Sequence, residues 1–269
     1  MLFLAALAVL AYMAVRQVRP LLTGSGCQAA VGGMTMPLDP QQAGIAATIA
    51  GVASQRALPA QAVSIAYAAA LQESKLHNLD YGDRDSVGVF QQRPSEGWGP
   101  AKKLEDPAYA ATRFFQVLAM VPDYRHIAVY KAAQAVQHSA DGTAYIQYEG
   151  QATRLARAFT GRDAHAVWCW WPSAPAGKAR LGAAARALRH AFGPVRATRP
   201  DPPPTGHKLL VRATDPATGW AMASWLVTHA GQYRLHDVRY AGYQWRADAG
   251  TGGWTRLAGR AAADGVSAS

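Results

Sequence analysis

Apolar residues fall at helical spacing through most of the first 170 positions, with alanine the commonest of them. Asp39 followed by Pro40 reads as an N-cap with proline at the first helical position, and Ile45, Ile49 and Val52 then share one face. A second helix starts at Pro59 and runs to about Leu76. The segment 77–99 is rich in Asp, Gly and Pro and reads as a loop. Asp106-Pro107 opens a third helix that Pro122 ends, and further helical patterns cover 127–138 and 143–160. No strand pattern stands out here, so 38–170 is expected to be an all-helical domain.

The pattern changes after Trp171-Pro172. An amphipathic helix over 177–192 turns Leu181, Leu188 and Phe192 inward and Arg180, Arg186 and Arg189 outward. The proline-rich run 199–204 reads as a stiff connector. Beyond it come a strand over 208–212, a helix over 220–230 and short strands near 238–240 and 244–246. The expected fold is therefore mainly α: a helical domain (38–170), a linker carrying the amphipathic helix (171–204) and a small basic α+β module (205–260). An apolar segment (1–22) and a Gly-rich tether (23–37) precede them, and a fraying Ala/Gly/Ser-rich tail (261–269) follows. Trp220, Trp225, Trp245 and Trp254 are expected in the core of the module rather than on a sugar-stacking surface.

Composition narrows the class. Half of the 269 residues are hydrophobic and 16% are charged, which excludes a disordered, collagen-like or coiled-coil chain. Charge is unevenly spread: 14 basic against 12 acidic residues leave +2 in 1–170, whereas 13 against 5 leave +8 in 171–269. The second half therefore suits an anionic partner, such as a wall polymer or a membrane surface. No nucleic-acid motif accompanies that charge, so nucleic acid is not expected as a partner.

The apolar run from Met1 to Val15 is short for a membrane span, and Arg16 and Arg19 follow it. A single anchor with an extracytoplasmic body and a cleaved signal segment both fit. The two arginines favour a cytoplasmic body by the positive-inside rule. The cysteines argue the other way. Cys27 and Cys169 bracket the helical domain, and a disulfide between them would persist only in an oxidising compartment; two unrelated buried thiols are the alternative. The disulfide and the chemistry below carry more weight. One apolar stretch makes no permeation path, so a transporter is not expected.

The residues that suggest chemistry lie around Glu73. Its helical face carries Ala62, Ala66, Ala69 and Ala70, and it sits in the last turn, where the dipole's negative end disfavours a carboxylate. That setting suits a general acid; a solvated glutamate paired with His77 is the plain alternative. Glu73-Ser74 followed by Gly88-Val89-Phe90-Gln91 resembles the soluble lytic transglycosylase and goose-type lysozyme superfamily. The longer string resembles an exported lysozyme-like group of actinobacteria. It comprises Gln72-Glu73-Ser74-Lys75-Leu76, Tyr81-Gly82-Asp83-Arg84-Asp85-Ser86, Gly88-Val89-Phe90-Gln91-Gln92-Arg93-Pro94 and Ala132-Ala133-Gln134-Ala135-Val136-Gln137, with a flanking cysteine pair. The likeness covers 37–169.

That resemblance implies a peptidoglycan glycosidase needing no cofactor or metal, with glycan strands as its partner. Glu73 would protonate the glycosidic oxygen. Ser74 would fix the helix end near the substrate, and Gln91 would bind an N-acetyl group or sugar hydroxyls. Gln134 and Gln137 stand where transglycosylases often carry Ala-Tyr-Asn, which is absent here. Tyr145 and Tyr148 would offer sugar-stacking faces or be ordinary half-buried aromatics. Hydrolysis would need a second carboxylate, for which Asp80, Asp83 and Asp85 are candidates, Asp83 first; a lytic transglycosylase works with one glutamate. The rival is a non-catalytic wall-binding protein with the same fold. In the module, the sequence around 219–254 resembles a domain distantly similar to zinc D-alanyl-D-alanine carboxypeptidases, but His207 and Asp215 lack that family's spacing and no metal site is expected.

Overall fold

A computed structural model describes residues 24–138, 143–194, 208–258 and 265–269. Among them are nine α-helices and two antiparallel sheets, so the fold is mixed α+β rather than mainly helical. The helical elements are α1 (Pro40–Gln55), α2 (Ala60–Ser74), α3 (Ala101–Leu104), α4 (Pro107–Leu118), α5 (Val129–Gln137), α6 (Glu149–Phe159), α7 (Leu181–Phe192), α8 (Pro216–Thr228) and α9 (Ala230–Tyr233). The strands are β1 (Gly26–Val31), β2 (Met34–Leu38), β3 (Val167–Trp170), β4 (Leu209–Arg212), β5 (Asp237–Tyr240), β6 (Tyr243–Arg246), β7 (Trp254–Arg256) and β8 (Gly265–Ala268).

Helix α1 starts where its cap predicts. Asp39 Oδ1 accepts from the Gln42 N–H at 2.9 Å, while the Asp39 N–H donates to Gln42 Oε1 at 3.0 Å. From Ala43 to Ala53 almost every residue is buried, the pattern of a helix covered on all sides. Helices α2, α4, α7 and α8 all pack on it. Small alanine side chains permit that crowding, and Tyr67 Oη of α2 donates to the Ala46 carbonyl of α1 at 2.7 Å. Helix α2 is itself buried from Ala62 to Leu71, against α4, α5 and α6.

Three expectations are corrected. The tether 23–37 is a hairpin: β1 and β2 pair, and β3, within the stretch expected to be all helical, closes a sheet of order β2-β1-β3. Cys27, Ala29 and Val31 do alternate inward, but small residues carry the period and the signal is weak. Helix α7 is no linker element, because Leu188 and Phe192 are buried against α1 and α8 in a core that runs unbroken into the module. Finally, the tail supplies β8, an inner strand of the sheet ordered β4-β8-β5-β6-β7, with Val266 and Ala268 fully buried. Composition hid that strand, since the gain comes from long-range pairing rather than from propensity.

Cys27 and Cys169 face each other across β1 and β3 and form a disulfide, as expected in an extracellular protein. Three indoles tie β3 to the module. Trp245 Nε1 donates to the Cys169 carbonyl at 3.0 Å, Trp254 Nε1 to Val167 at 2.7 Å, and Trp168 Nε1 to Thr251 at 3.1 Å. Trp220, Trp225 and Trp245 are buried and Trp254 is half-buried, so the tryptophans are mostly core. No helix among the described residues is long and apolar enough to cross a membrane; the apolar segment 1–22 lies outside them.

Candidate functional site

Glu73 occupies the last turn of α2, half-buried, with the four alanines of its face completely covered behind it. The helix stops abruptly after it. Lys75 (φ 55°) and Leu76 (φ 62°) both adopt left-handed backbone, and the N–H groups of both fold back to the Ala70 carbonyl. Two successive non-glycine residues in that region cost roughly 1–2 kcal/mol each, strain that the surrounding packing holds in place. The next segment is pinned to the helix end by Ser74, whose hydroxyl lies 2.7 Å from the Val89 carbonyl and 3.1 Å from that of Ala70. Ser74 is buried, so its hydroxyl works within the protein rather than on a ligand.

Tyr145 lies 72 residues away yet reaches the same carboxyl: its Oη donates to Glu73 Oε1 at 2.7 Å. Its ring is fully buried, which corrects the expectation of a sugar-stacking face; Tyr145 orients Glu73 instead. Among the described residues, Oε2 of Glu73 has no hydrogen-bond partner. At the rim, the Lys75 ammonium lies over the Tyr148 ring at 4.7 Å and reaches its hydroxyl, and Gln147 Nε2 reaches Gln72 Oε1 at 3.4 Å. His77 does not pair with Glu73. Its Nε2 lies 2.8 Å from Asp39 Oδ2, at the cap of α1.

The loop 77–99 is ordered by its own contacts. Val87 and Gln92 form an isolated antiparallel bridge, with Gly88 inside the turn at φ 78°. Glycine is required there twice over, because a Cβ would also lie 2.4 Å from the Leu104 carbonyl. Gln91 is left-handed too (φ 48°), and its Nε2 is 3.2 Å from both the Tyr81 and Gly88 carbonyls, so its amide braces the Tyr81–Gly82 turn. Gln137 Nε2 donates to the Phe90 carbonyl at 2.9 Å and ties α5 to the same turn; Gln134, on α5, is half-buried.

The acidic candidates separate. Asp85 accepts from the Ser95 N–H at 2.8 Å, the Ser95 hydroxyl at 2.9 Å and Arg93 Nε at 3.1 Å. The Ser95 backbone N–H, above all, holds its carboxyl below the usual range, so Asp85 is a loop staple. Asp83 is 92% exposed, with the Arg84 guanidinium 4.0 Å away, and Asp80 is also exposed. Asp215, in the module, caps α8 through the Thr218 N–H and hydroxyl; His207 lies outside the described residues.

The sequence reading missed the Tyr145–Glu73 bond. It also missed His229, whose ring stacks on Trp225 at 3.9 Å and is driven down to about 4 by burial. A helical i, i+4, i+8 run of aromatic rings (225, 229, 233) was the only signal for the latter. No protein-family model and no curated protein sequence matches this chain.

Proposed function

We propose that the protein is a peptidoglycan-acting glycosidase, with 38–170 as a lysozyme-like domain and Glu73 as its acid. The carrying observation is the 2.7 Å bond from Tyr145 to Glu73 Oε1, made where α2 ends in strained backbone. With Oε1 accepting that bond, Oε2 carries the proton. Glu73 gives it to the glycosidic oxygen as the C1–O bond breaks. The resulting carboxylate then takes a proton from the nucleophile that attacks C1, either the C6 hydroxyl of the same sugar or a water.

The acidic residues favour the first nucleophile. Asp85 is committed to Ser95 and Arg93, and Asp80 and Asp83 stand in solvent without a bond that fixes them near Glu73. A single-glutamate lytic transglycosylase, releasing a 1,6-anhydro sugar, fits that arrangement better than a two-carboxylate hydrolase. Lys208, Arg212, Arg239 and Arg256, all exposed, suit anionic wall polymer, and the disulfide suits a protein at the wall. Retention on such polymer should fall as salt rises from about 0.05 to 0.5 M.

Glu73→Gln keeps shape and the Tyr145 bond but cannot give up a proton. Cleavage of purified sacculi, followed by mass spectrometry of released muropeptides, should fall about 10²–10⁴-fold, with sacculus binding intact. Undiminished cleavage would place the acid elsewhere. A second reading, a wall-binding protein without turnover, draws on Gln91, whose amide is spent on Tyr81 and Gly88. Binding without cleavage by the unaltered protein would favour it.

A further inference from the structure

A hollow of about 670 Å³, whose lining does not include Glu73, lies between α1, α7 and the α8–α9 segment. That is the size of a small-molecule site, typically ~300–1,000 Å³. Its inner wall is the aromatic run of α8 and α9. Trp225 and His229 stack at 3.9 Å with 17° between planes, and Tyr233 lies near-parallel beside both, 5.9 Å from Trp225 and 6.3 Å from His229. Trp171 forms part of the facing wall, and two glycines give these rings room: a Cβ on Gly231 would lie 2.8 Å from Trp171 Nε1, and one on Gly44 3.4 Å from His229 Nε2.

Among the described residues, several polar groups around this hollow have no hydrogen-bond partner. His229 Nδ1 lies 2.8 Å from the Trp225 carbonyl, to which it donates, so Nε2 keeps its lone pair and, among the described residues, has no partner. Trp171 Nε1–H makes no hydrogen bond. Gln41 and Gln232 present free amides at the rim. Asp106 and His190, which also line the hollow, lie 2.7 Å apart and bond each other, and Asp106 also accepts from the Ala108 N–H. No described lysine, arginine or glutamate lines the hollow and its one aspartate is engaged, so a charged ligand would find no free counter-ion. An uncharged ligand with hydroxyl and amide edges and an apolar face fits, and N-acetylated pyranosides have that combination.

We infer that this hollow is a second glycan-binding site, taking an uncharged N-acetylhexosamine unit on the Trp171, His229 and Gln232 side chains. The choice of sugar rests on the peptidoglycan reading above. Such a site would hold the strand at a distance from the cleft and lengthen residence on the wall without a part in the chemistry.

The test is calorimetric titration of the full chain, as Glu73→Gln to prevent turnover, with the trimer of N-acetylglucosamine. Trp171→Phe removes the donor and should weaken one binding event about five- to tenfold, the cost of one lost hydrogen bond. Gln232→Leu, on an exposed rim residue that folding does not need, should weaken the same event. Unchanged affinity in both variants, or no saturable binding at millimolar trimer, overturns the inference. So does tighter binding of an uncharged D-alanyl-D-alanine amide that the trimer cannot displace, since the site would then take peptide. The two readings fail separately. Sugar binding that depends on Trp171, without sacculus cleavage by the unaltered protein, removes the glycosidase and leaves the site. Cleavage with trimer binding indifferent to Trp171 removes the site alone.

Discussion

Glu73 and His229 stand at the carboxyl ends of two helices built alike, and their surroundings diverge from the first residue beyond. Helix α2 is buried from Ala62 to Leu71 and α8 from Gly219 to Thr228, each on all sides. After Glu73-Ser74 the chain takes two left-handed residues and turns away, leaving the carboxyl half open with the Tyr145 hydroxyl as its one partner among the described residues. After Thr228 the chain continues into α9, so the imidazole stays stacked on Trp225 at 3.9 Å, with Tyr233 6.3 Å away, and lines a hollow. Similar helix construction thus yields a half-exposed carboxyl in one case and a ring stacked beside a hollow in the other. What differs is the termination: strained backbone exposes a group, and prolonged helix covers it.

The first way to break that comparison is pH. Burial holds His229 at about 4 against an ordinary value near 6.5. Between those values the unfolded chain binds a proton that the folded chain refuses, so stability falls as pH drops from about 6.5 to 4, by about 3 kcal/mol in total. Urea midpoints measured across that window should show the loss, and His229→Phe, which keeps the stack, should remove it. An unchanged slope in the variant would mean that the ring is solvated when folded. Asp85 and Asp215 act in a lower window. Their carboxyls are held below the ordinary value, chiefly by Ser95 and by the Thr218 hydroxyl, and their stabilisation is lost only as pH falls below about 4.

The next way concerns the long-range partner of Glu73; those of His229 are local. Tyr145→Phe keeps the buried ring and removes the one hydroxyl bonded to Oε1. Cleavage should fall about five- to tenfold, the value of one hydrogen bond to a carboxyl group, mainly in kcat rather than KM because the ring meets no substrate. An equal rise in KM with kcat unchanged would show that Tyr145 acts on substrate binding.

These two residues also show what a sequence exposes and what it hides. The N-cap at Asp39, the proline starts at Pro40 and Pro107 and the alanine face of α2 are local, and each appears in the structure where the pattern put it. Glu73 was legible at a helix end, with its four alanines, by spacing within one element, but its candidacy as an acid came from the resemblance of Glu73-Ser74 and Gly88–Gln91 to the lysozyme-like superfamily. Its bond to Tyr145, the strand over Gly265–Ala268 and the indole ties from Trp245 and Trp254 are long-range, with neither partner distinctive alone. The His229 stack is local, yet three aromatic rings in an apolar helix look the same whether they fill a core or face a hollow.

The smallest expected effect belongs to Asp83, and it sharpens the contrast between a fixed acid and an unfixed one. Its side chain is 92% exposed and its nearest cation, Arg84, stands 4.0 Å off, a contact worth little in solvent. Nothing holds it at the separation from Glu73 that a base activating water would need. Asp83→Asn should therefore leave stability within about 0.5 kcal/mol and cleavage of sacculi unchanged, with anhydro products still released. A loss of activity comparable to that of Glu73→Gln, or a switch from reducing to anhydro products, would mean that the loop carries Asp83 inward when substrate binds. The two-carboxylate hydrolase would then replace the single-glutamate route, and the Glu73 end of α2 would be only half of the acid–base machinery.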